Sequence, residues 1–255
     1  MELTGAQRET FEREGFLVIP SLFSEEEVRK LRDELPRIFA LDREEVPKTE
    51  SGEPRLAHRL DRYSEPFARL LRHPRMVGPA MQLLGGPVYS HQFKVVTKAP
   101  FGELDLPWHQ DYGTWHAIDG MPEPRAMNFA LFLDEVTEFN GPITLIPRSH
   151  RDGVLDAPLE PLDGSSSFAR LTAETVARLA DAHGMVAPKG PPGTGLFFNG
   201  CLAHASAPNI SPWPRNNVYS SLNRTDNAIT RHERPEFYAA RDPVPLDPLP
   251  DDCLA

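Results

Sequence analysis

The hydrophobic pattern divides the chain into a mainly helical first part and a strand-rich remainder. Thr4 and Ser24 are each predicted to cap the N-terminus of a helix, because a glutamine or glutamate follows three residues further on, as in a capping box. The apolar run 15–20 between the two signals predicts a short buried strand. Spaced apolar residues over 64–84 predict a third helical region. The first 85 or so residues therefore read as helices around one strand.

From residue 87 onward the periodicity changes to short apolar runs typical of strands. The predicted strands are 88–96, 108–111, 127–133, 141–147, 195–198 and 218–223. One predicted helix, 172–183, interrupts them. Helices followed by strands favour a β core with helices packed outside it. The fold class expected is mainly β with flanking helices, around a double-stranded β-helix of the jelly-roll or cupin-like type.

A chain of 255 residues can form one β-rich domain. We expect a single domain over 1–242, with N-terminal helices in about 1–85 and the jelly-roll core in about 86–225. Residues 243–255 form a tail rich in proline and aspartate, which has little to bury.

Composition removes several partner classes. A formal net charge of −10 without a basic stripe argues against nucleic acid, whose binding depends on Lys and Arg. No apolar run approaches the roughly 18 residues of a membrane helix, and the first residues do not resemble a secretory signal. Two widely separated cysteines suit a reducing cytoplasm. The oligomeric state stays open.

The candidate functional residues are His109 and Asp111, which are two positions apart, together with the distant His204 and Arg215. On an extended strand the first two would project from one face. A lone His-x-Asp pair is more often structural than metal-binding. Two histidines and one carboxylate, however, leave coordination positions open, as in non-haem Fe(II) oxygenases, whereas a structural zinc site takes four protein ligands. A 2-oxo acid could occupy the open positions, and Arg215 could hold its remote carboxylate.

Several motifs, in order, resemble the phytanoyl-CoA dioxygenase superfamily, and within it the bacterial hydroxylases of free amino acids (leucine 5-hydroxylase-like) and of ectoine. They are 109–111, 114–116, 119–122, 140–142, 146–150 and the stretch 204–215. The resemblance extends from the first helix to Arg241. One departure is Val96, where the relatives place an asparagine, so that recognition of substrate or cosubstrate must differ there.

The resemblance implies roles residue by residue. The iron ligands would be His109, Asp111 and His204. The 2-oxoglutarate contacts would be Arg215, Ser206 and the pocket residue Gln92. The substrate cavity would be lined by Trp115, Phe198 and Asn217. Of the remaining histidines, His116 and His150 are expected to be structural, and His91 should point away from the pocket because it alternates with Gln92.

The implied activity uses Fe(II), 2-oxoglutarate and O2 to hydroxylate an unactivated C–H of a small free amino acid or imino acid, releasing succinate and CO2. Asp111 favours hydroxylation over halogenation, because related halogenases lack that carboxylate. Possible anchors for a substrate carboxylate are basic residues of 55–62, Arg125 and Arg241. The alternatives are an ectoine-type or other small-metabolite hydroxylase, a zinc hydrolase with metal-bound water as nucleophile, and a non-catalytic binding barrel.

Overall fold

The computed structural model describes residues 1–48, 52, 55–163 and 166–255. The helices are α1 (Gly5–Glu14), α2 (Glu25–Phe39), α3 (Glu65–Leu71), α4 (Pro74–Leu84), α5 (Asp111–Asp119) and α6 (Ala173–His183). The strands are β1 (Phe16–Ile19), β2 (Leu56–His58), β3 (Val88–Lys98), β4 (Leu106–His109), β5 (Ala126–Phe132), β6 (Ile143–Leu145), β7 (Leu159–Asp163), β8 (Ser166–Ala169), β9 (Gly195–Asn199), β10 (His204–Ser206) and β11 (Arg215–Arg224).

Two antiparallel sheets form the core. The larger has the strand order β1-β9-β5-β11-β3-β2, and the smaller has the order β4-β10-β6. Between them lies a buried apolar cluster in which Phe132 and Phe198 of the larger sheet accompany Ile143 and Leu145 of the smaller. Strands distant in sequence thus face each other across one interior. The prediction of a mainly β jelly-roll core with flanking helices is confirmed.

Helices α2, α3 and α4 cover the outer face of the larger sheet. Side-chain alternation in β3 sends Phe93 and Val95 outward into the main apolar cluster, which also contains buried residues of α2, α3 and α4. The intervening positions of β3, such as Gln92 and Lys94, face the interior between the sheets. Strand β3 therefore packs against the helices with one face and lines the cavity with the other.

The two helices predicted near the N-terminus are confirmed. Thr4 and Ser24 each complete a capping box with the residue three positions further on. The predicted helical region 64–84 instead consists of two helices, separated before Pro74. A proline disfavours the α conformation of the residue before it, and His73 accordingly has the extended angles φ −70° and ψ 132°. Pro74 then opens the second helix, where its missing N–H is not needed.

The C-terminal tail packs more closely than its composition predicts. Leu254 is buried in the main apolar cluster, and Arg75 of α4 donates to both carboxylate oxygens of Asp251. The tail therefore contributes to the core on the side of the helices. Among the residues that the structure describes, no helix combines the length and apolar character needed to cross a bilayer.

Candidate active site

Three side chains converge at the end of the smaller sheet. His109 and His204 are directly opposite each other on the paired strands β4 and β10, and their ring centroids are 4.1 Å apart. The Nε2 atom of His109 lies 3.4 Å from Oδ1 of Asp111, and Nε2 of His204 lies 3.5 Å from Oδ2. The donor atoms all lie within 4.8 Å of one another, so that one cation could bind to all three.

The predicted strand 108–111 is wrong in its last residues. The strand β4 ends at His109, and Asp111 is the first residue of α5. A change of direction, rather than the same-face alternation of an extended strand, brings the carboxylate beside the imidazole. The backbone N–H of Tyr112 donates to the carbonyl of Gly200 at 2.9 Å and ties this turn to the loop before His204.

Gln110, between the two predicted ligands, has a structural role. Its amide Nε2 donates to the carbonyls of Gly153 and Cys201, and its Oε1 accepts from the backbone N–H of Leu155. All the hydrogen-bonding groups of this buried amide are thereby used, and the side chain holds two loops against the site.

Both histidines are oriented as metal ligands require. Each ring donates through Nδ1 to a backbone carbonyl, His109 to Pro107 at 2.7 Å and His204 to Leu202 at 2.9 Å. Nε2 is therefore the ring atom of each that faces Asp111 and could bind a metal. Burial and the neighbouring His109 lower the pKa of His204 to about 4. Burial alone would raise the pKa of Asp111, but the adjacent His204 and His109 outweigh it and hold this pKa well below its usual range.

Asp111 is fixed by a polar pair on the larger sheet that the sequence reading missed. Asn128 donates through Nδ2 to Oδ2 of Asp111 at 2.6 Å, and its Oδ1 accepts from the hydroxyl of Ser221 at 2.7 Å. The two residues are opposite each other on β5 and β11. The available signal was a polar residue within the otherwise apolar run 126–132.

Arg215 is a buried cation without an ionic partner. Its side chain is among the largest fully buried ones, and no carboxylate of the described residues pairs with it. The Nη1 atom donates to the hydroxyl of Tyr219 at 3.2 Å and, with the Asn217 amide suitably oriented, to its oxygen at 3.2 Å. The Nε–H has no hydrogen-bond partner among the residues that the structure describes. A buried guanidinium of this kind requires an anion, since an unpaired buried charge is costly.

Lys98, opposite Arg215 on the neighbouring strand, adds a second buried positive group. Its Nζ donates to the carbonyls of Leu104, Ser206 and Ala207. Burial and the nearby Arg215 lower the pKa of Lys98 to about 7. The three carbonyls use all its donors, so that Lys98 orders the loops around Arg215 and leaves that arginine as the anion site.

One cavity joins the three converging side chains to Arg215. The predicted residues that line it are His109, Asp111, His204, Arg215, Ser206, Gln92, Trp115 and Phe198. Val96 lines it too, and gives an apolar wall at the position where the relatives have asparagine. Asn217 is buried beside Arg215, as described above, and does not appear in the cavity wall. Its substrate-binding role stays a prediction.

The cavity is cationic, and several of its charged residues were not predicted. Lys94, Arg55 and Arg234 line it together with Lys98 and Arg215, whereas its carboxylates are Asp105 and Asp111. Alternation in β3 would have placed Lys94 on the same face as Gln92. Of the suggested carboxylate anchors, Arg55 lies in the cavity. Arg125 instead pairs with Asp226 at the surface, and Arg241 donates to the carbonyl of His232.

His91, His116 and His150 lie outside the cavity wall, as expected, but His91 does so for a different reason. The pairing of β3 with β11 skips His91, so simple alternation with Gln92 does not apply, and its ring is buried against Trp115 and Asp119. His116 bonds to the carbonyl of Met121, and His150 bonds to that of Glu12. Both contacts are structural.

The donor set fits an open metal site. Two imidazoles and one carboxylate are present, and the described residues offer no fourth His, Cys, Asp or Glu to this group. Such a set leaves room for exogenous ligands on iron. The unpaired Arg215 in the same cavity then fits the far carboxylate of a chelating dicarboxylic oxo acid.

Comparisons with known proteins agree with this geometry. The model of the family described as phytanoyl-CoA dioxygenase (PhyH) matches residues 11–217. The L-proline trans-4-hydroxylase of Streptomyces griseoviridis is 38% identical over 253 residues, covering 95% of this chain and 94% of that protein. An ectoine dioxygenase of Halomonas elongata is 35% identical, covering 93% of this chain and 76% of the relative. The crystal structure of EctD from S. alaskensis with 2-oxoglutarate and 5-hydroxyectoine is 34% identical, with a TM-score of 0.85 and coverage of 97% and 87%.

Proposed function

The chain belongs to the phytanoyl-CoA dioxygenase family and is an Fe(II)- and 2-oxoglutarate-dependent dioxygenase, and we propose that it hydroxylates an unactivated C–H of a small free amino acid or imino acid, with L-proline as the leading candidate. The observation that carries the proposal is the single cavity in which an open two-histidine, one-carboxylate site, an unpaired buried arginine and further cations meet.

The residues divide the work between them. His109, Asp111 and His204 would hold Fe(II), and Arg215 with the neighbouring Ser206 would hold the remote carboxylate of 2-oxoglutarate. When bound, iron and the oxo acid supply the oxidising chemistry, with succinate and CO2 as the by-products of hydroxylation. The protein's own part is to place one C–H of the substrate beside the metal and to keep competing molecules out.

The cavity offers cations for a substrate carboxylate in addition to Arg215 and Lys98. Lys94 donates only to the neutral amide of Gln92, at 2.9 Å, and has no ion pair with a described carboxylate. Arg234 lines the same cavity. We infer that these two residues attract the carboxylate of the substrate, while Trp115 and Phe198 contact its apolar part.

Ectoine is the second candidate. The support is the likeness of the chain to ectoine dioxygenases and to EctD over nearly its whole length. Ectoine also carries a carboxylate, so that the cationic wall suits it equally. Val96 distinguishes this cavity from the family pattern and supports a different substrate. The zinc-hydrolase and binding-barrel alternatives leave the unpaired Arg215 without a purpose, which is why we set them aside.

A substrate screen tests the proposal. The purified protein is incubated with Fe(II), 2-oxoglutarate and single compounds from a panel of amino acids, imino acids and ectoine, and succinate is measured. We expect one amino or imino acid, L-proline first, to stimulate succinate release and to gain one oxygen by mass spectrometry. His109→Ala protein serves as the inactive control. Stimulation by ectoine alone would favour the second candidate, and stimulation by none of the panel would overturn both.

We also propose a cellular location for the protein and expect one class of partner to be absent. The described cysteines Cys201 and Cys253 are both free thiols, which supports the proposal of a reducing cytoplasm. The net charge of −10 supports the expectation that nucleic acid is not a partner.

A further inference from the structure

Asp119, the last residue of α5, is a buried carboxylate outside the cavity wall. Arg234 donates to it through Nε at 2.8 Å and through Nη2, and Nε2 of His91 lies 3.3 Å from Oδ2. A buried ion pair of this kind adds little net stability, because desolvation of both charges offsets their attraction. The pair therefore needs an explanation other than stability.

The position of Asp119 along its helix supplies one. Asp111, Trp115 and Asp119 are spaced by four residues, so that they lie along one face of α5. The first belongs to the metal site and the second to the cavity wall. A single rigid element thus connects the metal site to the residue that holds Arg234.

The C-terminal segment beyond β11 covers the cavity. We call residues 234–240 the roof segment. Arg234 and Tyr238 of this segment line the cavity. Gln92 donates through Nε2 to the carbonyl of Tyr238 at 2.6 Å, and the Tyr238 ring lies 4.5 Å from that of His58. The roof segment is therefore part of the substrate's surroundings.

Both ends of the roof segment are attached to the residues around Asp119. Just before it, the backbone N–H groups of Thr230 and Arg231 donate to the carbonyl of Asp119 at 3.1 and 2.9 Å. At its end, the N–H of Ala240 donates to the carbonyl of His91 at 3.0 Å. Among these attachments, the Asp119 carboxylate is the one that fixes a side chain inside the cavity.

We propose that Asp119 is a positioning residue: through Arg234 it fixes the roof segment and one cationic wall of the cavity relative to the metal site. The bonds from Nε and Nη2 to Asp119 set the plane of the guanidinium and leave Nη1 free of hydrogen bonds to described residues. Asp119 itself does not reach the substrate. The kinetic part of the test rests on the proposed function, whereas the structural part does not.

The kinetic test uses Asp119→Asn, which keeps the shape and removes the charge. We expect the KM for the amino or imino acid to rise about 10- to 100-fold, and the KM for 2-oxoglutarate to stay within about twofold of wild type. Succinate should exceed hydroxylated product, because a poorly placed substrate is not oxidised in every cycle. Asp226→Asn, which removes a carboxylate from a surface ion pair, is the matched control and should behave as wild type.

A double variant separates positioning from general damage. If Asp119 acts through Arg234, Asp119→Asn should add less than about twofold to the substrate KM of Arg234→Ala protein. Additive effects would overturn the proposal, as would an Asp119→Asn protein with wild-type KM and wild-type coupling, or an equal loss of affinity for 2-oxoglutarate.

Limited trypsin digestion provides a readout that needs no activity. With the roof segment released, cleavage after Arg231 and Arg241 should be faster in Asp119→Asn than in wild type or Asp226→Asn, while cleavage elsewhere is unchanged. Unchanged cleavage at these two sites would contradict the proposal even if no substrate is found. A wild-type protein inactive on the whole panel would instead count against the proposed function alone.

Discussion

Arg215 illustrates at the scale of one residue how a structure can indicate a ligand. A fully buried guanidinium with an unpartnered Nε–H is unfavourable by itself. Its contacts with Tyr219 and Asn217 are with neutral groups, and no carboxylate of the described residues pairs with it. The energetic requirement for an anion is thereby left to the cosubstrate.

Arg215→Ala should consequently impair binding of the cosubstrate. We expect the KM for 2-oxoglutarate to rise about 100-fold, since removal of a desolvated charge-assisted contact costs about 2–5 kcal/mol. The KM for the amino or imino acid should change little. Arg148→Ala, at an exposed pair with Glu14, is the control. An unchanged dependence on 2-oxoglutarate concentration would show that Arg215 does not bind it.

The adjacent hydroxyls Ser220 and Ser221 offer a matched pair of substitutions. The Ser221 hydroxyl donates to Asn128, which in turn donates to Asp111, whereas the buried Ser220 hydroxyl has no hydrogen-bond partner in the described part of the chain. Ser221→Ala should weaken Fe(II) binding about 10-fold, because support of this kind tunes metal affinity. Ser220→Ala should leave affinity unchanged. Titration of Fe(II) into both metal-free variants measures the two affinities. Equal Fe(II) affinities would contradict a role of Ser221 in supporting the metal site.

At this scale the sequence named the three residues that the structure brings together as a possible metal site, and Arg215 in the same cavity, because those residue types in that order have a specific chemical meaning. It missed Lys94, Asn128 and Arg234. Lys94 needed only strand alternation, whereas Arg234 reaches the cavity through a segment without periodicity. Such a contact depends on tertiary packing that no local pattern encodes.

At the scale of elements, the difference between prediction and structure is largest around α5. The motif His109–Asp111 was read as one strand, but the chain turns from β4 into a helix between the two residues. Helix and strand are hard to tell apart in a short run, and here the start of the helix is fixed by a bond from the N–H of Tyr112 to the distant carbonyl of Gly200. The predicted residues converge, as expected, but the strand predicted over 108–111 was wrong at its end.

Lys98 joins elements in a way that can be measured. Its ammonium donates to carbonyls of the loop before β4 and of β10 with its following residue. Lys98→Met should lower the free energy of unfolding by about 1–3 kcal/mol, because buried carbonyls lose their donor. Lys189→Met, at an exposed pair with Glu138, should change it by less than about 0.5 kcal/mol. Urea unfolding compares the two, and equal stabilities would contradict this role.

At the scale of the whole molecule, the two faces of the larger sheet separate stability from chemistry. Helices α2 to α4 and the C-terminal tail cover the outer face, and the polar cavity occupies part of the inner one. Hydrophobic periodicity predicted this arrangement well, because it reports which face of each element is buried. Tail docking was not predicted, since its apolar contacts, Leu254 with the partly buried Leu246 and Cys253, lie in a segment rich in proline and aspartate without periodicity.

Loss of the tail contact should therefore affect stability without affecting catalysis. Leu254 is 3% exposed, and Val244 in the same tail is 66% exposed. Leu254→Ala should lower the free energy of unfolding by about 2–4 kcal/mol, whereas Val244→Ala should change it by no more than about 0.5 kcal/mol. Both proteins should keep wild-type KM values at a temperature where they are folded. A wild-type unfolding midpoint for Leu254→Ala would show that the tail is not part of the core.

The proposed function depends on one reaction at one open metal site. The most direct test is turnover under labelled dioxygen, ¹⁸O2, with the amino or imino acid that the screen selects. We predict one labelled oxygen in the hydroxylated product and one in succinate, in equal amounts, and neither product from the His109→Ala or Asp111→Ala proteins. Label in neither product, or full turnover without Asp111, would contradict the assignment of the site and of the reaction.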